Sequence, residues 1–299
     1  AFFFSLILAI QVLHAQMDSH THDHVIGQLE QALPSLRGEK AELQVIVRLA
    51  DLYADRARLR SIEETEKKCT NCVTAKSDRK KAISFYAKAQ SLNKKDADSR
   101  WVLQIAHLHT LNGEEKSAER VLNGILKNSK SYDRKVLGEA HAQLGEQKYR
   151  ARDFKAAEAH FSQALKLGAS NAFHLQYRLA WCAFNRGQTA KANRILLQVL
   201  NDANLRQQAN RNDYLKDYMT FLARGKVTAA SVREVKNLSD ETLWAENLQY
   251  FGQEAERLGN RKGALIIWQE YEQIANKNDE TYIDTLIRTA QNLLDQKQT

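Results

Sequence analysis

The sequence predicts an all-α protein, and three observations carry that expectation. One proline, Pro34, and 12 glycines are spread over 299 residues, where a β-sandwich or barrel needs far more turn chemistry. Ala, Leu, Gln, Glu, Lys and Arg dominate, and all of them lose little on entering a helix. From Glu39 onward apolar residues return with helical period almost without a break. With 43% hydrophobic residues, a chain of this length can bury one large core or a series of small ones.

The first element is the run Ala1 to Ala15, which opens with three Phe and holds no Lys, Arg, Asp or Glu. It has no polar face and ends in Leu13-His14-Ala15, a tolerable small-residue cleavage site. Residues 1–15 are therefore expected to be a secretory signal peptide; the alternative is an uncleaved segment that anchors the chain to a membrane. The rest of the chain then belongs outside the cytoplasm, in the periplasm of a bacterium. The formal net charge of +8 is compatible with nucleic acid, anionic lipid or simply solubility, and an exported chain would not meet the first of these. Peripheral contact with the envelope is compatible with it.

Residues 16–38 are expected to be a flexible polar segment with a short helix from His24 to Ala32, stopped by Pro34. His20, His22 and His24, with Asp18 and Asp23, form a crude metal-type tract. The plainer reading is an ordinary polar linker, and no metal site is assigned.

Residues 39–299 hold repeating units. In the clearest, Leu144-Gly145 lies in a first helix, Asp153-Phe154 follows a turn, and Ala157, Phe161 and Ala164 share one face of a second helix. Leu179-Ala180, Gly187 and Ala192 repeat the pattern 35 residues on. Ile105-Ala106, Gly113, Ala118 and Leu122 fit it earlier, and Phe251-Gly252, Gly259, Ala264 and Trp268 fit it later. Leu49-Ala50 and Tyr53 supply a first helix near the start, with Ala82, Tyr86 and Ala89 as its second, separated by an insertion at about 56–76. Residues 207–240 are helical but match poorly. Ile283 to Leu294 reads as a capping helix, with Asp284, Arg288, Gln291 and Asp295 for its wet side.

This pattern resembles the tetratricopeptide repeat (TPR) family, whose first helix carries Leu-Gly and whose second carries a spaced Ala, aromatic, Ala. The closing proline of that family is absent here; position 169 is Ala. The resemblance implies a right-handed superhelical solenoid of antiparallel helix hairpins, in which each hairpin buries its apolar face only against its neighbours. It also implies a scaffold or adaptor that takes protein or peptide partners in a concave groove.

In the register of that family Tyr177, Trp181 and Phe184 face the groove, with Tyr149 at the equivalent of Phe184 and His107 at the equivalent of Trp181. Ala142 and Glu146 stand where a basic clamp for a terminal carboxylate would have Lys and Asn, so an apolar or aromatic anchor is expected. The competing reading is that the three rings of the stripe pack on the adjacent helix.

Cys69-Thr70-Asn71-Cys72 lies in the insertion. A thioredoxin-type site lacks its βαβ frame, a haem attachment lacks the following His, and zinc lacks two further ligands. A local Cys69–Cys72 disulfide that pins the insertion is the simplest reading in an oxidising compartment, with free thiols as the alternative. Cys182 reads as a small buried hydrophobe. Lys67, Lys68, Lys76, Arg79, Lys80 and Lys81 make a basic cluster that either meets an acidic partner or lipid headgroups, or is a solvated face neutralised by Glu63, Glu64, Glu66 and Asp78. No G-x-S-x-G, no H-E-x-x-H and no phosphate-cradling glycine loop is present. The expectation is a non-enzymatic protein without a cofactor. The alternative is a metal- or ligand-binding exported protein that uses the His tract and CxxC.

Overall fold

The computed structural model describes residues 19–69, 72–93, 99–202, 211–275 and 280–297. The expected leader at 1–15 lies outside them. All regular elements among the described residues are helices, as the composition predicts. The chain forms two compact units that divide after Leu144.

The first unit opens with α1 (Ser19–Ala32) and a 3-10 turn (Leu33–Leu36), followed by α2 (Lys40–Glu66), α3 (Thr74–Leu92), α4 (Ser99–Leu111), α5 (Glu115–Lys127) and the start of α6 (Arg134–Arg150). The pairs α2–α3 and α4–α5 are hairpins, and α3 packs on α4. Helix α1 begins at Ser19, five residues before the expected start. Two contacts account for this. Ile26 is buried in a cluster with Leu49, Leu52 and Tyr53, and the Asp23 carboxylate accepts from Arg56 and Arg60 on α2. The segment after residue 19 is thus an ordered layer of the unit.

Most described residues of the insertion are helical, 56–66 at the end of α2 and 74–76 at the start of α3. The insertion lengthens α2 to 27 residues, against 13 for α4. A buried Arg56–Asp78 pair stands at the base of the extension, with two parallel bonds of 2.8 and 2.7 Å. Arg60 adds a third bond to Asp78. At the tip, Val73 cannot cap α3, and Glu64 of α2 accepts from Thr74 Oγ1 and the Ala75 N–H instead. Those bonds, the Thr74 hydroxyl first, hold the Glu64 carboxyl below its ordinary range.

The second unit holds the rest of α6, then α7 (Phe154–Leu167), α8 (Ala172–Asn185), α9 (Thr189–Leu200), α10 (Arg211–Arg224), α11 (Ala229–Leu238), α12 (Trp244–Arg257), α13 (Arg261–Ile274) and α14 (Glu280–Lys297). Helices α8–α9 and α12–α13 are hairpins, α10 packs on both α9 and α12, and α13 carries α14. Small residues let the paired helices approach. A Cβ at Gly145 would lie 2.6 Å from the Phe161 ring, and one at Gly252 would lie 2.5 Å from that of Trp268. The hairpin turns are built alike: Arg152 (φ 61°), Gly187 (φ 75°) and Gly259 (φ 75°) are left-handed. The next residue of two of them, Asp153 or Asn260, caps the following helix through the N–H of Ala156 or Gly263.

Helix α14 departs from the expected cap. It buries Thr285, Thr289 and Asn292, and leaves Ile283, Leu286, Ile287, Leu293 and Leu294 exposed. The cause is Glu256 on α12, which accepts from Trp268, Arg288 and Asn292. That carboxylate accepts from the polar stripe of α14, and Arg288, half-buried, bridges it to the exposed Asp284.

Candidate partner-binding surface

The stripe Tyr177, Trp181 and Phe184 forms on α8 as the spacing requires, and it faces α10. Phe184 is 6% exposed and stacks on Phe221 with ring centroids 4.2 Å apart. This corrects its expected place in the groove: the ring is core, because α10 supplies an aromatic at its level. Trp181 is half-buried, edge-on to Phe221 at 4.9 Å, and Tyr177 lies 4.7 Å from Tyr214. Both polar atoms are committed to one acceptor. The Tyr177 hydroxyl and the Trp181 N–H donate to Asp217 Oδ2 at 2.5 and 3.3 Å. Burial pushes the Asp217 carboxyl up, against the two donated bonds, and Asp213 adds to the rise. The outer edges of Tyr177 and Trp181 remain accessible.

Tyr149, on α6, is half-buried. It meets Phe154 edge-on at 5.4 Å, and the Arg178 guanidinium lies 4.7 Å over its ring. Glu146, one turn earlier, accepts from Arg178 Nε at 2.8 Å and pairs with the His174 ring at 3.1 Å. Burial alone would raise the Glu146 carboxyl, but the His174 bond and the Arg178 charge and bond outweigh it and hold it low. Position 146 is therefore the acidic centre of a cross-helix network, in a register where the clamp would be polar or basic. His107 belongs to the first unit. Its outer edge is exposed, while desolvation of the ring and the Arg79 charge hold its pKa below the ordinary range.

The first unit carries a second accessible surface. Ala54, Arg58, Ser61, Ile62, Thr65, Arg79, Leu108 and Leu111 line a groove of about 340 Å³ between the extended α2–α3 hairpin and α4. Sequence reasoning missed it. A usable signal was Ile62, an isolated aliphatic just before Glu63, Glu64 and Glu66 and off the buried stripe. Asp217 was missed because 207–240 did not match the repeat and had no register.

The Cys69 and Cys72 sulfurs lie in bonding contact, with Cα atoms 5.7 Å apart. Cys182 is buried, and burial pushes its thiol up to about 12. In the His tract, His22 is buried and Asp23 is already paired with Arg56 and Arg60; Asp18 lies outside the described residues. Among the described residues no group of three or more His, Cys, Asp or Glu is placed to hold a metal ion, and no helix is long and apolar enough to cross a membrane.

Fold and surface together define an all-α protein of repeated helix hairpins. No family model matches the chain, and no curated protein matches it. Among solved structures it is similar to the crystal structure of the yeast Tom70, with 12% identity and a TM-score of 0.44, over 93% of this chain and 60% of that one. The chain thus spans about 60% of the length of that neighbour.

Proposed function

We propose that this chain is a non-enzymatic, tetratricopeptide-type interaction scaffold that is exported by residues 1–15 and works in the bacterial cell envelope, where it binds segments of partner proteins. One observation carries the reading. The hairpin is a recurring unit closed by a small residue against a large one, Gly145 on Phe161 and Gly252 on Trp268. Hairpins built this way satisfy their apolar interiors within the stack, so the outer faces of their first helices are available to partners. In this reading the accessible edges of Tyr149, Tyr177 and Trp181 and the exposed His107 are contact positions for a partner. Nucleic acid and a cofactor have no role in this reading. The metal-handling alternative would require Asp23 to leave Arg56 and Arg60, which nothing in the geometry favours.

Crosslinking in the native envelope, followed by pull-down of the full chain and mass spectrometry, tests the proposal. The expected result is a small set of envelope proteins crosslinked to it, and a mature N-terminus at or near Gln16. A chain that stays in the cytoplasm, or that yields no crosslinked protein, contradicts it.

A further inference from the structure

The groove on the extended hairpin exists because two helices differ in length. Helix α2 runs for 27 residues and α4 stops at Leu111 after 13. The last turns of α2 therefore pass beyond the end of their neighbour. Ile62 and Leu111, which should meet another helix there, stay 47% and 50% exposed. Between them the groove of about 340 Å³ has room for a side chain, and the buried Leu108 is among its lining residues. An aliphatic pair left open in a concave, partly polar setting is the kind of feature that an inserted anchor covers.

The rim supplies the second half of the argument. Arg58 is exposed and makes no hydrogen bond or ion pair among the described residues. Arg79 donates to the Leu111 carbonyl and to Asn112 Oδ1, at 3.2 and 3.3 Å, and to no carboxylate among the described residues. Glu64, whose carboxyl the Arg79 charge helps to hold low, is engaged in capping α3. Around them the extension is strongly basic: residues 56–81 hold nine Lys or Arg against four Asp or Glu. Asp78, the most buried of those acids, is already occupied by Arg56 and Arg60. Two guanidinium groups flanking an apolar slot match a carboxylate beside an apolar side chain, because each can give a carboxylate two parallel charge-assisted bonds.

We infer that this groove docks a segment of a partner protein in which an aliphatic side chain is flanked by Asp or Glu. The inference rests on the scaffold reading above and places its principal contact in the first unit, on the part of the chain that departs from the plain repeat. The aliphatic side chain fills the slot between Ile62 and Leu111, and the carboxylates meet Arg58 and Arg79. A concave slot favours a protruding side chain over a flat layer of lipid headgroups.

A phage-displayed random peptide library panned on the full chain tests this, with the enriched peptides measured by fluorescence anisotropy. The variants are Ile62→Glu, Arg58→Glu and Arg79→Glu, each first checked for an unchanged circular dichroism spectrum and melting temperature. Residues 58 and 62 are solvent-facing, so those two variants keep the test sound if Arg79→Glu disturbs the tip. The expected result is enrichment of peptides that combine an aliphatic residue with Asp or Glu, with affinity falling more than about tenfold in each folded variant. Peptides that bind the Ile62→Glu and Arg58→Glu variants as well as wild type overturn the groove assignment and leave the scaffold reading standing. A failure to enrich any peptide counts against both. Sedimentation with phosphatidylglycerol vesicles that depends on Arg58 but not on Ile62 overturns the inference in favour of a membrane surface.

Discussion

The Phe161 ring occupies the volume that a side chain at Gly145 would need: an added Cβ would stand 2.6 Å from its Cδ1. The same sixteen-residue separation joins Gly252 to Trp268, Ala180 to Leu196 and Ala106 to Leu122. The partner is aromatic where the small residue is Gly, and Leu where it is Ala. The total volume at this position of the hairpin is therefore held roughly level by paired choices. Gly145→Ala should destabilise the protein by about 1–3 kcal/mol through overpacking. Phe161→Ala should cost about 3–5 kcal/mol through a cavity, and Phe184→Ala a similar amount. The double change Gly145→Ala with Phe161→Leu recreates the Ala180–Leu196 pair and should recover part of the loss of the first single variant. Urea unfolding of these variants and of the single Phe161→Leu change checks this, and strictly additive losses of Gly145→Ala and Phe161→Leu in the double variant would break the volume-pairing account.

Arg152 occupies the hairpin turn at the position where Gly187 and Gly259 stand, with φ 61°. A residue with a Cβ is strained there, so Arg152→Gly should be neutral or stabilising by up to about 1 kcal/mol, after the added entropy of the unfolded chain is set against the relief. Gly187→Ala should lose about 1 kcal/mol for the converse reason. Thermal melts of the two variants decide it, and a clear loss on Arg152→Gly would show that the arginine side chain holds the turn.

Two half-buried carboxylates of the second unit should respond to pH with opposite sign. The folded-state pKa of Glu146 is depressed, so its contribution is present above the ordinary glutamate value and disappears as pH falls through the depressed one. That of Asp217 is raised, so its contribution is present below the ordinary aspartate value and is lost as pH rises through the raised one. At pH 7 Glu146→Gln should lower the melting temperature, and its acid limb should be flatter than that of wild type. Asp217→Asn keeps an acceptor for Tyr177 and Trp181 and removes a desolvated charge. It should melt no lower than wild type at pH 7, whereas Asp217→Ala should melt lower. Equal losses for the Asn and Ala variants would mean that the charge itself is required.

The three cysteines should separate under alkylation. Cys182 is buried with its thiol pushed up to about 12, and the thiolate is the reactive form. If Cys69 and Cys72 are joined in the native protein, the native chain takes up no label without reductant. Denaturation then exposes one site, and reduction opens all three. Labelling of two sites on the native chain, mapped to Cys69 and Cys72, would show that the tip thiols are free.

Helix existence was legible from Glu39 onward because composition and period agree there, and the hairpin pairing was legible because Gly145, Ala180 and Gly252 mark close approach. The conformation of the insertion was not. Thr74, Glu64 and Asp78 cap and brace a longer hairpin through contacts between residues 10 to 22 positions apart, which local pattern does not reveal. The aromatic stripe illustrates another limit. Tyr177, Trp181 and Phe184 share a face by spacing alone, but whether that face is open depends on Phe221 and Tyr214, in a segment with no assigned register. The outward apolar stripe of α14 goes with Arg288 and Asn292 donating to Glu256, and a helical pattern cannot say which of its two stripes a neighbour will attract.

The most direct measurement is site-specific photocrosslinking in cells that produce the protein natively. A photoreactive phenylalanine analogue replaces Ile62 in the groove and, as a control, the exposed Lys155 on α7. A scaffold that docks partners on its extended hairpin should give a discrete adduct from position 62, lost when Arg58→Glu is added, and none from position 155. No adduct from position 62, or the same adducts from both positions, would contradict it.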